Sequence, residues 1–204
     1  MRRPVVLAAL VAALAGCGAA EPGLRTVVPG APGEPARVMG GAEAAQRRAP
    51  VPVSPADVEF VAAMIPHHEQ ALAVAALAPG RAADSGVRAM AERIAGVQGP
   101  EVAVLRAWLA RHGSGHPGHP AHAAVPGMVA AERLAELAAA SGPAFDRLFV
   151  ATMIAHHEGA LAMAAQVRAS GTDLFVAGFA DDVVATQTAD IDRLRGLPLV
   201  GLTQ

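Results

Sequence analysis

The chain has 204 residues, enough for one or two domains with a sizeable core; hydrophobic residues make up 53%, much of that alanine, and aromatics only 3%, with no Tyr and one Trp. So few aromatic and β-branched side chains argue against an all-β sandwich, whereas Ala, Leu and Arg favour helices because they lose little side-chain freedom there. All 16 basic residues are Arg, the formal charge is −2, and the lack of a basic patch excludes nucleic acid as an expected partner, while the single Cys excludes an intrachain disulfide framework.

Residues 1–17 read as an export signal: Arg2 and Arg3 give a positive start, and Val5 to Leu14 an apolar run too short to span a bilayer as a stable helix. Leu14-Ala15-Gly16-Cys17 resembles the bacterial lipobox, which makes Cys17 the expected lipidation site and the membrane an expected partner. An ordinary secretory signal with an incidental Cys is the alternative. Residues 18–55, rich in Gly, Pro and Ala and without sustained periodicity, read as a flexible tether. The remaining 56–196 read as one helical domain.

That domain contains an internal repeat. Asp57–Arg106 aligns with Asp146–Arg195 at a constant offset of 89, without gaps, and 20 of the 50 pairs are identical. In the first unit, about 57–112, Phe60, Met64, His67/His68, Ala71/Leu72 and Ala75 recur at helical steps. Ser54 is the expected N-cap with Pro55 at the first helical position, Ala78-Pro79-Gly80 the expected stop, and Pro66 an expected kink. A second helix is predicted from about Asp84 to His112, with Val87, Met90/Ala91, Ile94, Gln98, Val102 and Leu105 inward and a further kink at Gly99-Pro100. A His-rich loop follows at 112–127, then a short helix at 128–140. Ser141-Gly142-Pro143 opens the second unit, about 146–195, where Asp173 matches Asp84 as an N-cap. One hairpin buries too little apolar area to stand alone, so the fold expected is an all-α four-helix bundle with a pseudo-two-fold axis between the units.

The polar residues that fall on this apolar framework carry the expected chemistry. Met64, His67 and His68 lie within about one helical turn, as do Met153, His156 and His157. Glu69 and Glu158 follow them, expected either to flank the site or to orient an imidazole. The partner helices offer Gln98 and Glu101, matched by Gln187 and Asp190, as additional ligands or supporting groups. An unsatisfied buried polar group costs roughly 1–3 kcal/mol, so a duplicated His, Gln and acid set calls for a purpose. Transition-metal binding is the first reading, with copper ahead of zinc or iron, because imidazole and thioether suit it. The alternatives are a hydrogen-bonded core network and, for the two Met, plain core filling. His112, His116, His119 and His122 form a separate loop cluster, read either as loose metal chelation or as a solvated linker.

The stretches F-V-A-A-M-I-P-H-H-E-Q-A-L and F-V-A-T-M-I-A-H-H-E-G-A-L resemble the DUF305 family of exported bacterial proteins, over about residues 57–195, and Trp108-Leu109 fits as well. The resemblance implies a ferritin-like helical bundle and a link to copper handling in some members, and it places the family's His-His pair on His67-His68 and His156-His157. The ferritin di-iron pattern of Glu-x-x-His is not met, since the partner helices carry Gln98-x-x-Glu101 and Gln187-x-x-Asp190.

The function expected is metal binding by a lipid-anchored protein of the cell envelope, in copper or transition-metal sequestration or delivery, with the question of catalysis left open. A non-haem metal oxidoreductase and a non-catalytic scaffold are the alternatives. The sequence leaves open whether the metal lies within one chain or between the subunits of a homodimer.

Overall fold

The helices begin where capping chemistry allows. The Ser54 hydroxyl accepts the Asp57 amide at 3.2 Å while the Asp57 carboxylate takes the Ser54 amide at 2.9 Å, a reciprocal cap that starts α1, Pro55–Ala75. In the computed structural model, which describes residues 25–28, 33–40, 43, 52–113 and 125–199, α1 is followed by a single turn, α2, Ala78–Arg81. The Asp84 carboxylate then accepts the amides of Gly86 and Val87 and opens α3, Ser85–His112. Helix α4 spans Ala131–Ala139, α5 Gly142–Ser170 and α6 Leu174–Arg195, the last capped by Asp173 through the Val176 amide.

Several expectations are corrected in detail. Ala78-Pro79-Gly80 does not stop the chain dead: α1 ends at Ala75 and these residues wind one further helical turn. Pro66 and Pro100, where kinks are expected, do lie inside α1 and α3, which run on past them. Ser141 caps α5 without a side-chain hydrogen bond, and Gly142 sits at φ +62, a conformation suited to Gly. The tether is not featureless, because β1, Arg25–Val28, pairs antiparallel with β2, Arg37–Gly40, in the register Arg25↔Gly40 to Val28↔Arg37. Both strands carry the β-branched valines that favour extended chain, and Pro and Gly lie between them. The leader, Cys17, His116, His119 and His122 lie outside the described residues.

The chain divides into two units, Met1–Pro50 and Val51–Gln204, the hairpin belonging to the first and the helices to the second. Within the second, α1 packs on α3 and α5 on α6, and the two hairpins meet chiefly where α1 crosses α5. The apolar core is split into two clusters. One holds Phe60, Val61, Met64 and Leu105 together with Ala160, Ala164, Val176 and Val183. The other holds Phe149, Val150, Met153 and Leu194 together with Ala71, Ala75, Val87 and Ile94. The 89-residue offset carries each set onto the other, which is the pseudo-two-fold relation written in side chains. Each cluster mixes both repeats, so neither hairpin owns a complete core.

The same exchange holds at the loops. The Asp57 carboxylate accepts the amides of Thr172 and Asp173, at 3.0 and 3.2 Å, between α5 and α6. Its counterpart Asp146 accepts the amides of Ala83 and Asp84, at 3.2 and 3.0 Å, before α3. Each repeat therefore fastens the interhelical loop of the other with one buried carboxylate.

Candidate metal centre

Helices α1 and α5 bring the two His-His pairs face to face at their crossing. The rings of His67 and His156 lie with centroids 3.7 Å apart and planes at 31°, across the pseudo-axis. His68 and His157 flank them, their rings 6.4 and 6.3 Å from those of their chain neighbours. All four side chains are inward, at 0–1% exposure, in a polar belt between the two apolar clusters.

Each outer imidazole meets an acid from its own hairpin. His68 Nε2 lies 3.0 Å from Glu101 Oε2, and His157 Nε2 lies 4.0 Å from Asp190 Oδ2. Neither pair is aligned as a hydrogen bond. None of the eight ring nitrogens of the four His, nor the Oε1 atoms of Gln98 and Gln187, makes a well-aligned hydrogen bond among the described residues, although the Pro126 and His156 carbonyls lie toward the His67 ring and the His67 carbonyl toward that of His156. The imidazoles are thus not held by well-aligned hydrogen bonds to the Gln or acid side chains.

Burial settles the charge state. It pushes His67 down to about 3, reinforced by the neighbouring His68 and His157, while the Pro126 and His156 carbonyls act the other way. Burial together with the other three imidazoles pushes His156 down to about 2. Burial lowers His157 to about 4 against the opposing pull of Asp190. Near neutral pH these three rings are neutral, each with one nitrogen free of a proton.

The halves are not equivalent. Asp190 Oδ1 takes 2.7 Å hydrogen bonds from both Arg93 and Arg193, whereas the positions related to them by the repeat are Asp182 and Val104. Much of the Asp190 charge is thereby committed to guanidinium, and Glu101 is the acid set closest to an imidazole.

The other expected site residues separate. Glu69 and Glu158 are corrected: they turn to the surface and pair with Arg106 and Arg195, the second at 2.8 Å, repeating one ion pair in both units. Met64 and Met153 are fully buried one turn before the imidazoles, but in different apolar clusters. His112 is the last residue of α3 and not a loop residue, its ring 4.8 Å from that of Trp108. Among the described residues, no three His, Cys, Asp or Glu side chains are gathered with the geometry of a formed metal site. Sequence reasoning missed the two Arg on Asp190, the loop-fastening Asp57 and Asp146, and Gln70, whose amide holds Val129. The Asp pair had a signal, being identical across the repeats; the Arg pair had none, being absent from one of them.

Four long helices in two matching hairpins, closing on four buried imidazoles, define a duplicated His-His helical-bundle protein. The chain belongs to the DUF305 family, a domain of unknown function, whose sequence pattern matches residues 57–197. It is similar to the crystal structure of a DUF305 fragment from Deinococcus radiodurans, with 33% identity and a TM-score of 0.63, covering 72% of this chain and 97% of that one. A DUF305 protein from Streptomyces coelicolor, assigned as secreted, gives 25% identity and a TM-score of 0.63 over 68% of this chain and 88% of that one. CopM in its Cu(I)-bound form gives 27% identity and a TM-score of 0.58 over 68% and 92%. No curated protein matches the chain.

Proposed function

We propose that this protein binds a soft transition-metal cation, copper first, with its buried imidazoles, and that it does so outside the cytoplasm in sequestration or delivery. The carrying observation is the convergence of four buried imidazoles whose ring nitrogens make no well-aligned hydrogen bond. A buried ring nitrogen without an aligned partner costs on the order of 1–3 kcal/mol, and a bound cation would offset this at one nitrogen of each ring it holds. The donors fit such a cation, because neutral imidazole binds copper in either oxidation state and proton release is not required near pH 7. His67 and His156 would form the central pair, with His68 and His157 beside them and Glu101 as the nearest carboxylate. The bound metal would supply positive charge at the belt; the protein would supply lone pairs and a dry enclosure. CopM, which resembles this chain, has been seen with Cu(I), Cu(II) and silver, and this supports the choice of metal. The secreted relative and the leader of residues 1–17 support export, and Cys17 would attach the protein to the membrane by lipid.

The test is Cu(I) titration of the purified protein against a competing chelator, with the variant carrying Ala at positions 67, 68, 156 and 157. We expect tight uptake by the wild type and its loss in the variant. No uptake by wild type, or equal uptake by the folded variant, would reject the reading.

A further inference from the structure

The repeat breaks immediately after its His-His-Glu motif: Gln70 stands in the first unit where Gly159 stands in the second. Both residues meet the same segment, Val125–Val129, which leads toward α4. The Gln70 side-chain amide grips Val129 from both sides, Nε2 donating to its carbonyl at 3.0 Å and Oε1 accepting its N–H at 2.7 Å. On α5, a Cβ at Gly159 would stand 2.4 Å from both Gly127 Cα and the Pro126 carbonyl oxygen. Gly127 itself has φ +76, and a Cβ there would come within 2.8 Å of the His156 carbonyl oxygen and 3.1 Å of that of Ala155. The segment is therefore tied to α1 by a side chain and laid flush on the turn of α5 that bears His156. Its outer side is open to solvent at Pro126 and Met128, its Pro126 carbonyl lies toward the His67 ring, and His67 and His156 are 1% exposed.

We propose that Val125–Val129 is a removable cover over the imidazole pair, and that Gln70 and Gly159 set how fast solutes, a soft metal cation above all, reach these rings. The metal part rests on the function proposed above; the cover itself does not. The chemistry suits a gate. Two neutral hydrogen bonds to one backbone residue are strong enough to keep the segment closed and weak enough to be exchanged for water. The bare Cα of Gly159 is what allows the seat, since any larger residue would collide with backbone. The rings of His67 and His156, tilted at 31° with centroids 3.7 Å apart, leave no room for an ion between them, so sharing one requires a ring to turn.

The test uses the full chain with Gln70→Ala and, separately, Gly159→Ala. In the metal-free protein, diethyl pyrocarbonate modification of imidazoles should show a slow phase from the buried rings. Both variants should speed that phase about tenfold, the order expected for losing a two-bond clamp. Transfer of Cu(I) to and from bicinchoninate should accelerate by a similar factor in each direction, leaving the dissociation constant unchanged. A merely structural role would lower the unfolding midpoint without that matched change in rates. An unchanged slow phase in the folded Gln70→Ala protein would overturn the proposal, whatever Gly159→Ala does. If the wild type takes up no Cu(I) but the slow phase still accelerates, the cover is supported and the metal reading is the part that fails.

Discussion

Asp57 and Asp146 show how a single side chain can join two repeats. Burial raises the Asp57 carboxyl, but the hydrogen bonds from Thr172, Ser54 and Asp173 outweigh it and hold it below the usual carboxylate value of 3.8. Its contribution is thus present above that value and is lost as pH falls through the depressed one. Replacing either Asp with Ala leaves two part-buried loop amides without their carboxylate partner, and we expect a loss of roughly 1–3 kcal/mol from each, measured by urea unfolding. The imidazoles act in a higher pH window. Because His67, His156 and His157 are lowered to about 3, 2 and 4 in the fold, the unfolded chain takes up their protons first below 6.5. Stability of the metal-free protein should therefore fall with acidification from pH 6.5 toward pH 4, by up to about 1.4 kcal/mol per pH unit for each ring. A flat unfolding midpoint between pH 7 and pH 4.5 would contradict neutral burial. Bound metal should shift this acid loss to lower pH, since it stabilises the deprotonated rings.

At the scale of elements, the helices were legible because their signals are local. Ser54, Asp84 and Asp173 announced their helix starts, and the three- and four-residue spacing of Phe60, Met64, His67 and Ala71 marked an inward face. What was not legible depended on chain distant in sequence. Glu69 looked like a companion to His68, but Arg106 on the next helix claims it. Asp190 looked equivalent to Glu101 until Arg93, on a helix of the other repeat, was placed beside it. The strands of Arg25–Val28 and Arg37–Gly40 are too short for periodicity to stand out among Pro and Gly. The mismatch of Gln70 with Gly159 was visible in the alignment, yet its meaning required seeing Val129 and Gly127 arrive at the same spot.

At the scale of the whole bundle, duplication explains both the stability and the site. Each apolar cluster draws on both hairpins, and each interhelical loop is held by the other hairpin's Asp. A chain ending after α3 should therefore show no cooperative unfolding transition by circular dichroism, whereas a hairpin that melts cooperatively by itself would refute the shared core. The pseudo-axis also places identical His-His pairs against each other, which gives a belt of lone pairs that neither repeat makes alone.

The place a bound metal takes decides what the four imidazoles are for. Crystals soaked in Ag(I) or Cu(I), with anomalous scattering collected at a wavelength suited to the metal, give the most direct answer. We expect a peak in the belt between α1 and α5, within bonding distance of imidazole nitrogen from His67 or His156, with at least one ring turned away from its contact with the other. An anomalous peak found only on the outer surface, with the four buried rings unmoved, would contradict the central claim.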